Sequence, residues 1–104
     1  MILKVLDRVL LLGLLPEQGD FLTLKIVREL RENLSFTEEE LKRLKLLQSD
    51  NRVTWDVGAD GDGSQIAIGE KAGDIIADAL KLMNEKKSLT EQHLNIYGLF
   101  VGTQ

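Results

Sequence analysis

The sequence VTWDVGADGDGSQIAI, residues 53–68, decides between an all-helical fold and one that also contains strands. Apolar residues occupy every second position from Val53 to Val57, and two isoleucines repeat the alternation after a stretch of glycine and aspartate. Alternation with a period of two is typical of a strand with one buried face, and glycine and aspartate favour the positive φ angles of tight turns. These residues therefore predict one β-hairpin, with residues 58–63 as its tip.

Helical periodicity flanks the hairpin on both sides. Residues 2–15 predict a first helix, which a proline–glycine stretch ends. Asp20 can cap a second helix, and Thr37 with Glu40 has the spacing of a capping box, which begins a third helix. Two more helices are predicted after the hairpin, the fourth from about Glu70 to Lys86 and the last after a capping box at residues 88–91. The order α-α-α-β-β-α-α gives a mostly helical α+β fold.

The first two helices differ in how much of their surface is apolar. Residues 2–15 carry apolar side chains on nearly every side, so this helix is either central or partly covered by a second copy of the chain. The second helix has an ordinary amphipathic pattern. Its predicted inward stripe is Phe21, Leu24, Val27, Leu30 and Leu34. A lone hairpin is marginally stable in water unless it packs on the helices or pairs with another hairpin, so a homodimer is a hypothesis.

Length, charge and composition narrow the class of protein. The 104 residues suffice for one core, so a single domain over residues 1–104 is predicted. There is no cysteine, which removes disulfides and thiolate ligands and favours a cytoplasmic setting. The apolar run near the N-terminus is interrupted by Asp7 and Arg8 and is shorter than a membrane helix of about 20 apolar residues, so no membrane partner is expected. The net charge of −4 repels a nucleic-acid duplex at long range.

Three segments of the chain carry a resemblance. They are LLPEQGDFLTLK at residues 14–25, LSFTEEE at residues 34–40 and VTW at residues 53–55. With these segments the chain resembles a group of small uncharacterised proteins from phages and prophages. The resemblance implies a viral setting, in which the protein would act in the cytoplasm of the host cell, and it carries no activity over to this chain.

Three helices followed by a hairpin are also the element order of a winged-helix protein, in which the third helix enters the major groove. The candidate nucleic-acid-binding residues are Arg28, Arg31, Lys42, Arg43, Lys45 and Arg52. Two features oppose this function. The third helix begins with three glutamates, and the predicted hairpin tip carries Asp60 and Asp62 where a DNA-binding wing needs basic residues. Nucleic-acid binding is therefore the alternative and not the preferred function.

No residue pattern in the sequence predicts a catalytic, cofactor or metal site. The acidic stretch fails the spacing of an EF-hand, which leaves a weak cation site at Asp60 and Asp62 as an open question. The glycines lack the order of a nucleotide-binding loop. His93, the one histidine, has no catalytic partner nearby in the sequence, and Asp74 and Asp78 share a helix face on which solvation is the simpler explanation.

Trp55 has two interpretations. On the alternating strand it is either a core anchor between the hairpin and the helices, which is favoured, or an exposed anchor for a partner. The candidate partner-binding residues are Trp55, Asp60 and Asp62. The sequence favours a non-enzymatic protein–protein interaction or regulatory module. A winged-helix-like nucleic-acid-binding protein is the alternative, and an enzyme of unrecognised type is the third hypothesis.

Overall fold

The computed structural model describes residues 1–50 and 52–102, and within them it contains six α-helices and four short strands. In chain order they are β1 (Ile2–Leu3), α1 (Val5–Leu14), α2 (Phe21–Leu34), α3 (Glu38–Leu44), β2 (Leu47–Ser49), β3 (Arg52–Thr54), α4 (Val57–Asp60), β4 (Ser64–Gln65), α5 (Glu70–Glu85) and α6 (Leu94–Phe100). A 3-10 turn over Glu91–His93 leads into α6. The mostly helical α+β fold that the sequence predicts is confirmed, and the longer helices follow in the predicted order.

The hairpin is present, but it lies earlier in the chain than the sequence predicts. It is formed by β2 and β3, which pair antiparallel. Asn51, between the two strands, lies outside the described residues. The prediction that residues 53–57 pair with residues 66–68 is wrong, because the chain leaves β3 and forms the single helical turn α4. Trp55, directly after β3, is half-buried, so it is neither a fully buried core anchor nor a fully exposed side chain.

Asp56 explains why α4 forms where the sequence predicts a strand. Its carboxylate accepts hydrogen bonds from the backbone N–H groups of Gly58 at 3.0 Å and Ala59 at 3.3 Å, which caps the turn. At the end of that turn the Asp60 carboxylate accepts from the backbone N–H of Val5, at 3.3 Å, where α1 begins. The acidic stretch is therefore held against α1 and is not an exposed hairpin tip.

β4 pairs antiparallel with β1, so the segment after the acidic stretch joins the N-terminal strand and not β3. The pairing places Leu3 opposite Ser64, and backbone hydrogen bonds between Met1 and Ile66 extend it. Gly63 permits this close approach. Its φ is +101°, and a Cβ there would lie 2.7 Å from the backbone oxygen of Leu3, so glycine is needed on both counts.

The core is shared by several elements, with α1 packed against both α2 and α5. Its buried apolar residues come from β1, from the segment after β4 and from four helices: Leu3, Leu11, Leu15, Val27, Leu30, Leu34, Ile66, Ala72, Ile76, Leu80 and Ile96. Each large apolar side chain buried in this way contributes about 1.5–3 kcal/mol. In the described chain no helix has the length and apolar character needed to cross a membrane.

α2 buries only part of its predicted stripe. Asp20 caps the helix by accepting a hydrogen bond from the Thr23 backbone N–H at 2.8 Å, and this bond holds the pKa of the Asp20 carboxyl below its ordinary value. The three stripe positions in the later part of the helix are buried, whereas Leu24 is exposed and Phe21 is 84% exposed. The prediction that Phe21 faces the core is wrong, because no other described element covers the first turn of α2.

Arg8 ties α1 to the segment between α2 and α3, and its side chain is only 2% exposed. The guanidinium forms an ion pair with Glu40, with 2.6 Å between Nη1 and Oε2. Two further N–H groups donate to the backbone oxygens of Leu34, at 3.1 Å, and Ser35, at 2.7 Å. The ring centroid of Phe36 lies 4.0 Å from the guanidinium carbon, within cation–π distance. The buried charge is thus compensated by one carboxylate, two carbonyls and one ring.

We expect acid to destabilise the fold partly through Glu40. The hydrogen bond from Arg8 holds the pKa of the Glu40 carboxyl below its ordinary value of 4.5, and the Thr37 backbone N–H adds to this effect. A carboxyl group whose pKa is lowered by folding stabilises the folded state fully when the pH is above its pKa in the unfolded chain. This stabilisation is lost as the pH falls through its pKa in the folded protein. Urea denaturation should be measured from neutral pH down through the titration of Glu40. Over this pH range the free energy of unfolding should fall more in the wild type than in Glu40→Gln. Equal losses would contradict this role of Glu40.

Candidate functional site: an apolar cleft between α1 and α5

A cleft of about 790 Å³ opens to solvent between α1 and α5. This volume lies in the range of sites that bind small molecules or side chains of a partner. The lining residues come mainly from the two helices, with additions from the α1–α2 segment, the start of α2 and the 3-10 turn: Val9, Leu10, Gly13, Leu14, Pro16, Thr23, Ile75, Asp78, Ala79, Leu82, Met83 and His93. Its walls are therefore apolar, with a few polar groups among them.

The α1 side of the cleft follows from the all-round apolar character of that helix. Leu11 is fully buried in the core, whereas Val9, Leu10 and Leu14 are half-buried and line the cleft. Gly13 is exposed in the same wall, and a Cβ at this position would meet no atom within 4 Å. The helix thus packs centrally with one side and leaves an apolar face open with the other.

The α5 side is built in the same way. Ile76 and Leu80 face the core and are fully buried, while Ile75 and Ala79 turn towards the cleft and are half-buried. Leu82, in the same wall, is 49% exposed, which is a large apolar surface for a residue beside a cavity. Two amphipathic helices of the core therefore each present a second apolar strip to the same opening.

Besides the Thr23 hydroxyl, two polar side chains of distinct chemistry line the cleft. Asp78 is exposed and offers a carboxylate. The Nδ1 atom of His93 accepts a hydrogen bond from the Thr90 backbone N–H at 3.0 Å, so in the neutral ring the proton resides on Nε2, which becomes a donor. The arrangement can hold an apolar group and orient it through one acceptor and one donor. Asp74, the predicted neighbour of Asp78 on the helix, does not line the cleft.

The predicted partner-binding residues lie outside this cleft. Trp55 is half-buried beside the hairpin, Asp62 is exposed, and the Asp60 carboxylate is engaged with the backbone of Val5. Over residues 1–50 and 52–102, no three histidine, aspartate or glutamate side chains converge to hold a metal ion. None of the three predicted residues lines the cleft.

The six basic residues of the nucleic-acid alternative are all exposed. Arg28 and Arg31 lie on α2, and Lys42 and Arg43 lie on α3. Lys45 lies at the C-terminal cap of α3, and Arg52 lies on β3. Arg28 and Arg31 share a shallow depression with Pro16 and Glu17. Arg43 donates to the backbone oxygen of Ala59 at 2.9 Å, which ties α3 to α4.

Phe21, which is 84% exposed, does not line the cleft and lies in a separate depression with Leu24, Lys25 and Arg28. Comparison with models of protein families, with curated proteins and with solved structures found no match to this chain.

Proposed function

We propose that this chain is a non-enzymatic protein-interaction or regulatory module that binds an apolar segment of a partner protein in the cleft between α1 and α5. The observation that carries the proposal is the cleft of about 790 Å³ with apolar walls, in which Leu82 is 49% exposed. Apolar surface that continues from a cavity onto its rim is typical of interaction sites, because burying it releases free energy in proportion to its area.

The shape of the cleft favours a polypeptide segment as its ligand. Two helices form its long walls, and an amphipathic helix laid between them would offer apolar side chains at positions i, i+3 or i+4, and i+7. Asp78 would pair with a lysine or arginine of the segment, and the Nε2–H of His93 would donate to an oxygen atom. In the viral setting that the resemblance implies, the partner is a protein of the phage or of its host.

Filling the cleft with a side chain of the protein itself should abolish binding. Gly13→Trp adds an indole to the wall of the cleft. A Cβ at this position meets no atom within 4 Å, and the substitution replaces a weak helix former. Protein captured from the producing cells by immobilised wild type should be lost from Gly13→Trp. With the purified partner, titration calorimetry should show affinity reduced at least about tenfold, and a negative heat-capacity change for the wild type.

Gly73→Trp is the matched control for that experiment. Gly73 also lies within a helix, also has free space at its Cβ, and does not line the cleft. It should capture the same partner as the wild type. If every protein captured by the wild type is also captured by Gly13→Trp, the cleft is not the binding site and the proposal fails.

Nucleic-acid binding is a second candidate because of where the structure places the hairpin. β2 and β3 follow α3 directly, as a wing would, and Asp60 and Asp62 do not lie on these strands. One of the two objections raised by the sequence is thereby weakened. A duplex-binding measurement at low salt tests this candidate, with Lys42→Glu as the comparison. The absence of any shift with the wild type would remove it.

A further inference from the structure

We propose that the exposed face of α2 is a second binding surface, separate from the cleft, and that it binds an acidic segment of a partner protein that also carries an apolar side chain. The surface is defined by five residues and is called the α2 groove below: Phe21, Leu24, Lys25, Arg28 and Arg31. None of the five lines the cleft, so the two surfaces can be tested independently.

The α2 groove consists of two depressions that share a wall. One, of about 410 Å³, extends from Phe21 past Lys25, and the other, of about 340 Å³, extends towards Arg31. Leu24 and Arg28 line both, so the two depressions are continuous. The five residues recur at helical spacing, which places them along one side of α2. The groove therefore follows the axis of the helix and suits an elongated ligand.

The α2 groove is positively charged, although the chain as a whole has a net charge of −4. Lys25, Arg28 and Arg31 are exposed, whereas the one carboxylate that lines either depression is that of Glu17. Over residues 1–50 and 52–102 the one ion pair is that of Arg8, on α1, so the three cations of the groove pair with no carboxylate of the described chain. Guanidinium groups bind carboxylates in a bidentate geometry. The charge of the groove therefore favours an anionic ligand.

Two glutamates of α2 lie beside the groove and not in it. Glu29 and Glu32 are exposed and line neither depression, and Glu29 lines a different depression together with Glu70 of α5. Their carboxylates repel an acidic segment that is displaced from the three cations. Like charges at the border of a binding surface thus help to set the register of the bound segment.

The first turn of α2 supplies the apolar end of the groove. Phe21 is 84% exposed and Leu24 is 39% exposed, and covering an aromatic ring with an apolar side chain is favourable. With a rise of about 1.5 Å per residue, Arg28 and Arg31 lie about 10 Å further along the axis, a distance that an extended segment spans in about three residues. The bound segment therefore carries an apolar side chain and, about three residues away, its carboxylates.

A polypeptide matches the α2 groove better than a polynucleotide or a membrane. A polynucleotide carries a charge on every residue and is repelled along its length by the net charge of −4, whereas a few carboxylates respond mainly to cations within about 8–10 Å. A helix that lies on a membrane buries a wide apolar strip, whereas the apolar part of the groove consists of Phe21 and Leu24.

Selection from a displayed library of random peptides tests the inference. The library is applied in parallel to the wild type, to Gly13→Trp, in which the cleft is altered, and to the double variant Arg28→Glu/Arg31→Glu. We expect one class of peptides to be retained by the wild type and by Gly13→Trp and to be lost from the double variant. Its members should combine an apolar residue with several acidic residues.

Fluorescence anisotropy with the most enriched peptide measures the effects. The double variant should bind it at least about tenfold more weakly, and added salt should weaken binding by the wild type. Phe21→Ser, which removes the apolar end, should bind about five- to tenfold more weakly. The matched control is Lys81→Glu, which reverses an exposed charge on α5 outside the groove and the cleft and should bind within about twofold of the wild type. Unchanged circular dichroism spectra show that the variants are folded.

The inference is wrong if no such class of peptides is enriched, or if the double variant binds the selected peptide as well as Lys81→Glu does. It is also wrong if no acidic peptide is selected but the wild type, unlike the double variant, sediments with phosphatidylserine vesicles or retards duplex DNA. The face would then belong to a lipid surface or a nucleic acid. None of these results bears on the cleft, whose own test is the loss of a captured protein from Gly13→Trp.

Discussion

Arg8→Met lowers the free energy of unfolding by about 3–5 kcal/mol, which is a large part of the about 5–15 kcal/mol that a domain of this kind possesses. Methionine keeps the apolar stem but removes every donor of the guanidinium. Glu40 loses its ion pair, and the backbone oxygens of Leu34 and Ser35 lose their hydrogen bonds. Buried polar groups without partners carry their full desolvation penalty, so the loss exceeds that of a surface ion pair.

Arg8→Lys is the control for that substitution. Lysine keeps the charge but presents a single ammonium group, which cannot serve the carboxylate of Glu40 and the two backbone oxygens together, so an intermediate loss is expected. Urea denaturation followed by circular dichroism measures all three proteins. If Arg8→Met unfolds within about 1 kcal/mol of the wild type, the account of Arg8 as a buried tie between α1 and the α2–α3 segment is wrong.

Gly63→Ala has the second-largest expected effect, a loss of about 2–5 kcal/mol. A side chain at a φ of +101° is strained, and its Cβ would lie 2.7 Å from the backbone oxygen of Leu3. The backbone of β1 or β4 must shift to relieve this contact, which weakens their pairing. Thermal denaturation should therefore show a markedly lower midpoint.

Gly61→Ala separates the strain from the clash. Gly61 also has a positive φ, +57°, but a Cβ there would meet nothing within 4 Å. This variant should lose only the conformational part, about 1–3 kcal/mol, because φ of +57° with ψ of −127° is a backbone conformation that favours glycine. Equal losses for Gly61→Ala and Gly63→Ala would show that the approach of Leu3 imposes no steric requirement for glycine.

The sequence predicts those parts of the fold that local chemistry determines. The capping box of Thr37 and Glu40 marks the start of α3, and the periodicity from residue 70 predicts α5 to within a residue of its end. The strand pairing is not local. Alternation at residues 53–57 indicates extended chain, but it does not show that Asp56 caps a turn or that Asp60 binds the first turn of α1, 55 residues earlier.

The polar residues of α1 illustrate the same limit. In the sequence, Asp7 and Arg8 interrupt an apolar run, whereas in the structure both are buried and bonded to distant partners. The Asp7 carboxylate accepts a hydrogen bond from the Asn95 amide at 3.1 Å, across 88 positions of the chain. Single-sequence patterns give no means of identifying such partners.

The cleft is predicted by the sequence only in outline. The all-round apolar surface of residues 2–15 indicates a helix that needs partners on several sides, and the open side of α1 is now the wall of the cleft. Periodicity cannot tell a covered face from an uncovered one, so Phe21 is predicted as core and is exposed. Asp78 is exposed to solvent, as the sequence predicts, and the sequence gives no sign that His93 lines the same cavity.

The most direct test of the cleft as the interaction site uses the one histidine and the one tryptophan of the chain as reporters. His93 lines the cleft, and Trp55 lies outside it. In NMR spectra recorded while a captured partner is added, the imidazole signals of His93 should shift and the indole signal of Trp55 should stay in place. A shift of Trp55 with His93 unchanged would contradict the cleft and point to the strand beside Trp55 as the binding surface.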